Sequence, residues 1–77
     1  MVIALSPADR WAVDREYTSN PEAFDALWHG WESYNRFTQE GNAYARQLFE
    51  RAVALDPMYA PAYMGLGWTY WLEWTWQ

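Results

Sequence analysis

The chain has 77 residues, enough for one small domain, and is 52% hydrophobic and 21% aromatic, with seven Trp, six Tyr and three Phe. Ten acidic residues against five Arg give a net charge of −5, and there is no Cys. This composition excludes a disordered tail, which needs few aromatics, a basic surface for nucleic-acid phosphates, and disulfide or thiolate chemistry.

In chain order, Met1–Leu5 is a short apolar run without the basic start or the apolar core length of a signal peptide. Ser6-Pro7-Ala8-Asp9 then places a hydroxyl at an N-cap, Pro at the first helical position and an acid just behind it. A short helix to about Tyr17 is predicted, with Trp11 and Ala12 as its apolar patch. Thr18-Ser19-Asn20 reads as a linker. Asn20-Pro21-Glu22 repeats the start signal, with Glu22 favourable at the positive end of a helix dipole. Phe24, Leu27, Trp28, Trp31 and Tyr34 recur at the spacing of an amphipathic helix.

The polar stretch Asn35–Asn42 reads as turn-like, and Thr38 within it is the N-cap expected for a third helix from about Gln39 to Leu55. The apolar face of that helix is Ala45, Leu48, Phe49, Ala52, Val53 and Leu55. Asp56-Pro57 stops it, because a residue before Pro is pushed out of the helical region. A fourth helix is expected from Ala60-Pro61, presenting Tyr63, Leu66, Gly67, Tyr70, Trp71 and Trp74. The short loop Asp56–Tyr59 folds the third and fourth helices into an antiparallel hairpin. The fold class expected is all-α, with about four helices.

The uncharged stretch Met58–Leu72 has 15 residues and contains Pro61, Gly65 and Gly67. A membrane span needs about 20 apolar residues, so a buried helix and no membrane partner are expected. Trp71 to Gln77 contain no helix-stopping Gly, Pro or Asn, which predicts that the architecture continues past them.

Gly30-Trp31 and Gly67-Trp68 lie 37 residues apart, and at that offset Ala23 meets Ala60 and Tyr34 meets Trp71. A mid-helix Gly costs about 1 kcal/mol relative to Ala. Two of them imply close approach of a neighbouring helix. Tyr63, Leu66, Gly67 and Tyr70, with Ala45, Phe49, Ala52 and Pro57, fall at the spacings of a helix-pair repeat. These residues resemble the tetratricopeptide repeat, with Tyr63 where Trp is usual. The earlier first helix departs from it, having Ala26, His29 and Ser33 where Trp, Leu and Tyr are usual around Gly30. The resemblance implies a fragment of an α-solenoid: residues 1–19 a lead-in helix and linker, 20–57 a first helix pair, and 58–77 the truncated first helix of a second repeat. It also implies that Gly30, Ala45, Phe49, Ala52, Pro57, Tyr63, Leu66, Gly67 and Tyr70 are packing positions.

Asn20-Pro-Glu-Ala-Phe-Asp, Asn35-Arg-Phe-Thr-Gln-Glu-Gly and Phe49-Glu-Arg-Ala-Val-Ala-Leu-Asp-Pro, behind the Leu5–Arg10 segment, resemble the repeat block of bacterial adenylate or guanylate cyclase-type multidomain regulators. That resemblance implies a bacterial, cytoplasmic regulatory array. No cyclase catalytic segment is present, so enzymatic activity does not carry over.

Asp25, His29 and Ser33 nominally list a hydrolase triad, but along one helix nothing supplies an oxyanion hole or nucleophile elbow. A polar helix face with an Asp25–His29 contact is expected instead. One His with scattered carboxylates has no metal-site spacing, and Gly65 and Gly67 lie within a helix rather than in a phosphate loop. No cofactor is expected.

The tetratricopeptide resemblance implies a concave groove at Trp31 and Trp68, flanked by Leu27, Tyr34, Met64 and Trp71. Rigid aromatics of this kind are common binding hot spots. The alternative is that Trp11 of the lead-in helix covers Trp31. The function expected is a non-enzymatic interaction module holding a peptide or partner domain, the alternative being a regulatory or spacer segment of a cyclase-type protein. Because a single repeat cannot bury its own apolar face, the last helix is expected to make a homo-oligomer contact through Trp71, Trp74 and Trp76.

Overall fold

The computed structural model describes residues 18–76. Over that range the chain is all-α: α1 spans Pro21–Tyr34, α2 Gln39–Leu55 and α3 Ala60–Thr75, with no strand among the described residues. The helix expected between Ser6 and Tyr17, and with it any cover of Trp31 by Trp11, falls outside the described residues.

Helix boundaries follow from the caps. Asn20 Oδ1 accepts from the backbone N–H of Glu22 at 2.9 Å and of Ala23 at 3.2 Å, satisfying two of the free donors at the start of α1. Thr38 Oγ1 accepts from Gly41 N at 2.9 Å and starts α2 in the same way. The turn between them carries Phe37 at φ 54°, a left-handed conformation uncommon outside Gly. Its ring is exposed and tilted against Tyr34, with centroids 5.7 Å apart. Asp56 leaves the helical region with φ −145° and ends α2. Asp56 Oδ1 then accepts from Met58 N at 3.1 Å, which shapes the turn into α3.

Both connections are short, so neighbouring helices run antiparallel. Polar contacts fix the ends of these pairs. Thr18 Oγ1 donates to Asp56 Oδ2 at 2.5 Å, and Asn20 Nδ2 donates to the Leu55 carbonyl at 3.3 Å. The start of α1 is thereby held against the end of α2, and a terminal carbonyl of α2 gains a partner. At the other end of the bundle, Asn42 Nδ2 near the start of α2 donates to the Thr69 carbonyl of α3 at 2.9 Å.

Phe49 is fully buried at the centre, between α1 and α3. A Cβ added at Gly30 would come within 2.6 Å of its ring, and one added at Gly65 within 2.7 Å. Both glycines therefore exist for close approach: each removes a side chain where the ring sits against a helix backbone. Ala23, Ala45, Ala52 and Ala62 are completely buried around it, so small residues set the spacing of all three helices. Trp31 closes one side edge-on, its ring 5.0 Å from Phe49 and 5.5 Å from Tyr34.

The rotation of α3 corrects the expected packing set. Gly30, Ala45, Phe49 and Ala52 are buried, but Tyr63, Gly67, Tyr70 and Pro57 are exposed, and Leu66 is only half-buried. The side of α3 that meets α2 is instead Ala62, Gly65, Thr69 and Leu72. The physical reason is size. Against a ring already lodged on Gly30, only a Gly or Ala surface comes close enough, and Ala62 and Gly65 supply it. The two glycines that share Phe49 are thus Gly30 and Gly65, and nothing lies within 4 Å of a Cβ placed on Gly67.

Substitution at the two α3 glycines should therefore have opposite effects. Gly65→Val should destabilise by about 1–3 kcal/mol through overpacking. At concentrations low enough to keep the chain monomeric, Gly67→Ala should be neutral or stabilise by up to about 1 kcal/mol through helix propensity alone. Thermal or denaturant unfolding of both variants checks this, and equal losses would mean that α3 is rotated differently.

Candidate functional site

Glu73 is the sole charged residue in α3. At 100° per residue, Ala62, Gly65, Thr69 and Leu72 occupy the inner side. The outer half then carries Tyr63, Met64, Gly67, Tyr70, Trp71 and Trp74, with Trp68 at its border. An ordinary surface helix is polar on its outer side. Here Tyr63, Met64, Trp68, Tyr70, Trp71 and Trp74 are between 46% and 70% exposed. Contiguous exposed apolar surface of this kind marks interaction sites.

Local geometry gives this face relief. Trp68 and Trp71 meet edge to face, with ring centroids 5.7 Å apart at 81°. Together with Met64 and Gly67 they line a shallow groove of about 430 Å³. Gly67 forms its floor, because no side chain rises there. Three of the expected groove residues, Met64, Trp68 and Trp71, are therefore brought together. Leu27 and Tyr34 are not: they are 1% and 7% exposed, inside the α1–α2 core. The apolar stripe of α1 is the face it packs against α2, so it has no second apolar side to offer a groove. Trp31 is half-buried with its ring on Phe49 and Tyr34. Of the expected oligomer contacts, Trp71 and Trp74 share the outer face. Trp76 lies at the opposite end of the α2–α3 seam, beside Gln39 and Asn42.

Sequence reasoning missed a polar cluster on that seam. Asn42 and Arg46 lie one turn apart on α2 and face Thr69 and Glu73, one turn apart on α3. Arg46 pairs with Glu73, and its Nε and Nη2 reach Thr69 Oγ1 and the Thr69 carbonyl at 3.5 Å. The guanidinium also stacks 4.3 Å from the centroid of the Tyr70 ring, in cation–π contact. Asn42 is 3% exposed, and its Oδ1 meets no donor among the described residues. Trp76 and Gln39 complete a hollow of about 300 Å³ over these groups. The signal that could have found the cluster is the pair of matching i, i+4 polar residues on two otherwise apolar facing helices.

The nominal triad does not assemble. His29 Nδ1 lies 3.1 Å from Glu32 Oε1 rather than beside Asp25, and both groups of that pair are exposed. Ser33, one turn further along α1, is buried at 4% exposure. Among the described residues no group of three His, Asp or Glu could hold a metal ion, and no helix is long and apolar enough to cross a membrane. Comparison with family models, with curated proteins and with solved structures found no match.

Core and surface aromatics should separate in stability measurements. Trp31→Ala should cost about 3 kcal/mol, since its ring closes the core over Phe49, whereas Trp68→Ala should cost no more than about 1 kcal/mol, the worth of one edge-to-face contact. Equal costs in denaturant titrations would contradict the assignment.

Burial raises the Tyr34 hydroxyl above its ordinary value of 10.0. The unfolded chain therefore loses this proton first, and stability that is complete below about pH 10 should fall as pH rises beyond it. Tyr34→Phe should remove that component, as measured by urea unfolding between pH 9 and about 11.

Proposed function

We propose that the chain is a non-enzymatic protein-interaction module of tetratricopeptide type, a four-helix piece of an α-solenoid that binds an apolar peptide or partner helix along α3. One observation carries the reading: an uncharged aromatic half-helix stands exposed, with a glycine-floored groove along it. Trp and Tyr are large and rigid, so they contribute contact area at low entropic cost and dominate interface energetics. Burial of Ala45, Phe49 and Ala52 in an antiparallel pair is what the repeat resemblance implies for its second helix and supports the architecture. A bacterial, cytoplasmic setting belongs to the same proposal through the cyclase-type resemblance.

A peptide array of helix-forming sequences, graded from apolar to acidic, tests this directly. The protein should retain the uncharged apolar helices selectively, and Trp71→Ala should weaken retention by about 30-fold, the effect of a hot spot worth 2 kcal/mol. A chain that serves only as a spacer would retain no peptide selectively.

A further inference from the structure

We propose that the outer face of α3 pairs with the same face of a second copy, in an antiparallel α3–α3 contact with Gly67 on the two-fold axis. The proposal rests on reading this face as an interface and names its occupant. Three observations select a second copy.

The first is self-complementarity, which an isologous contact demands. A two-fold axis through Gly67 places each residue k positions after it opposite the residue k positions before it. Trp71 then faces Tyr63, Tyr70 faces Met64, and Trp74 faces Ala60. Aromatic meets aromatic, ring meets thioether, and the most exposed Trp meets the smallest side chain on the face. Gly67 meets Gly67, where nothing within 4 Å occupies the space of a Cβ, so the two backbones can approach closely. Inside the chain, glycines of this kind are filled by Phe49. On the outer face the same device stands open.

The second is charge. Each copy carries −5, so copies repel wherever charged surfaces meet. The outer half of α3 is free of charge, and Glu73 at its edge is matched by Arg46. This face is where two such chains can touch without bringing carboxylates together.

The third is area. Six Trp, Tyr and Met side chains at 46–70% exposure, each carrying roughly 150–250 Å², offer on the order of 600 Å² per copy. Two copies bury about 1,200 Å², which reaches the lower bound of stable specific interfaces.

The chain has no Cys, so a single introduced thiol reports on the contact. A disulfide needs Cα atoms about 4.4–6.8 Å apart, which is met at the crossing point of two helices packed through glycine. The native chain should sediment as a dimer in the micromolar range, and Trp71→Arg should raise the dissociation constant at least 30-fold. Under mild oxidation Gly67→Cys should form a covalent dimer quickly, and Glu50→Cys on the exposed side of α2 should not. Far-UV circular dichroism of each variant, together with the concentration series on the unaltered chain, separates lost pairing from lost folding. A native chain that stays monomeric throughout, or a Gly67→Cys that crosslinks no faster than Glu50→Cys, overturns the proposal. If that monomer still binds apolar helical peptides through Trp71, the pairing fails and the interaction-module reading stands. If its Gly67→Cys thiol also resists maleimide, the face is covered from within the chain, which equally overturns the pairing.

Discussion

Everything in this structure is arranged around one buried ring. Phe49 sits on α2 and is pressed from both sides by helix backbone, at Gly30 of α1 and Gly65 of α3. A benzyl side chain between two helices normally holds them apart. Removing the opposing side chains lets it hold them together, because the ring then meets backbone atoms across van der Waals distance instead of methyl groups. The cost is two glycines inside helices, each about 1 kcal/mol worse than Ala, offset by burial of a full aromatic side chain. Ala23, Ala45, Ala52 and Ala62 preserve the close spacing once the ring has set it.

That contact also decides which way α3 faces. With Gly65 turned to Phe49, the helix is rotated so that Ala62, Thr69 and Leu72 point inward and the larger side chains point out. Thr69 is then the residue through which α2 grips α3, by way of Asn42 and Arg46. Its hydroxyl donates to the Leu66 carbonyl at 2.7 Å, so it is satisfied within its own helix while remaining available as an acceptor for Arg46. A small core and a short polar seam fix the orientation, and the bulk of the aromatic surface is left outside.

The helix ends were legible from the residues alone because their cause is local. Asn20, Thr38 and Asp56-Pro57 act on backbone groups within a turn of themselves, and each begins or ends a helix where expected. The seating of Phe49, Ala45 and Ala52 was legible too, since α2 has a polar face against which its apolar side stands out. For α3 the same method had nothing to work with. A helix that is apolar all round carries no contrast to show which side is buried, and its two glycines, two residues apart, lie about 200° apart around the axis. Choosing Gly67 over Gly65 reversed inside and outside for the whole helix. On α1 the groove assignment failed for a different reason. Leu27 and Tyr34 were placed by resemblance on a second apolar surface, but Glu22, Asp25, His29 and Glu32 occupy the side where it would have to be, leaving one stripe for one neighbour.

The same rotation explains why an exposed aromatic face arises on α3. Fitting α3 against Phe49 requires small residues on one side, and the large ones gather on the other. Folding alone gains less from that outer side than from the core, because Trp74 stays 70% exposed and Trp71 and Tyr70 stay about half exposed. Apolar surface in water costs about 25 cal/mol per Å² relative to burial, so a row of half-exposed Trp and Tyr is a standing driving force for association. That row carries no charge in a chain of net charge −5, and it is stepped at Gly67, where no side chain rises. The exposed row is thus made of the same residues that the core leaves unused.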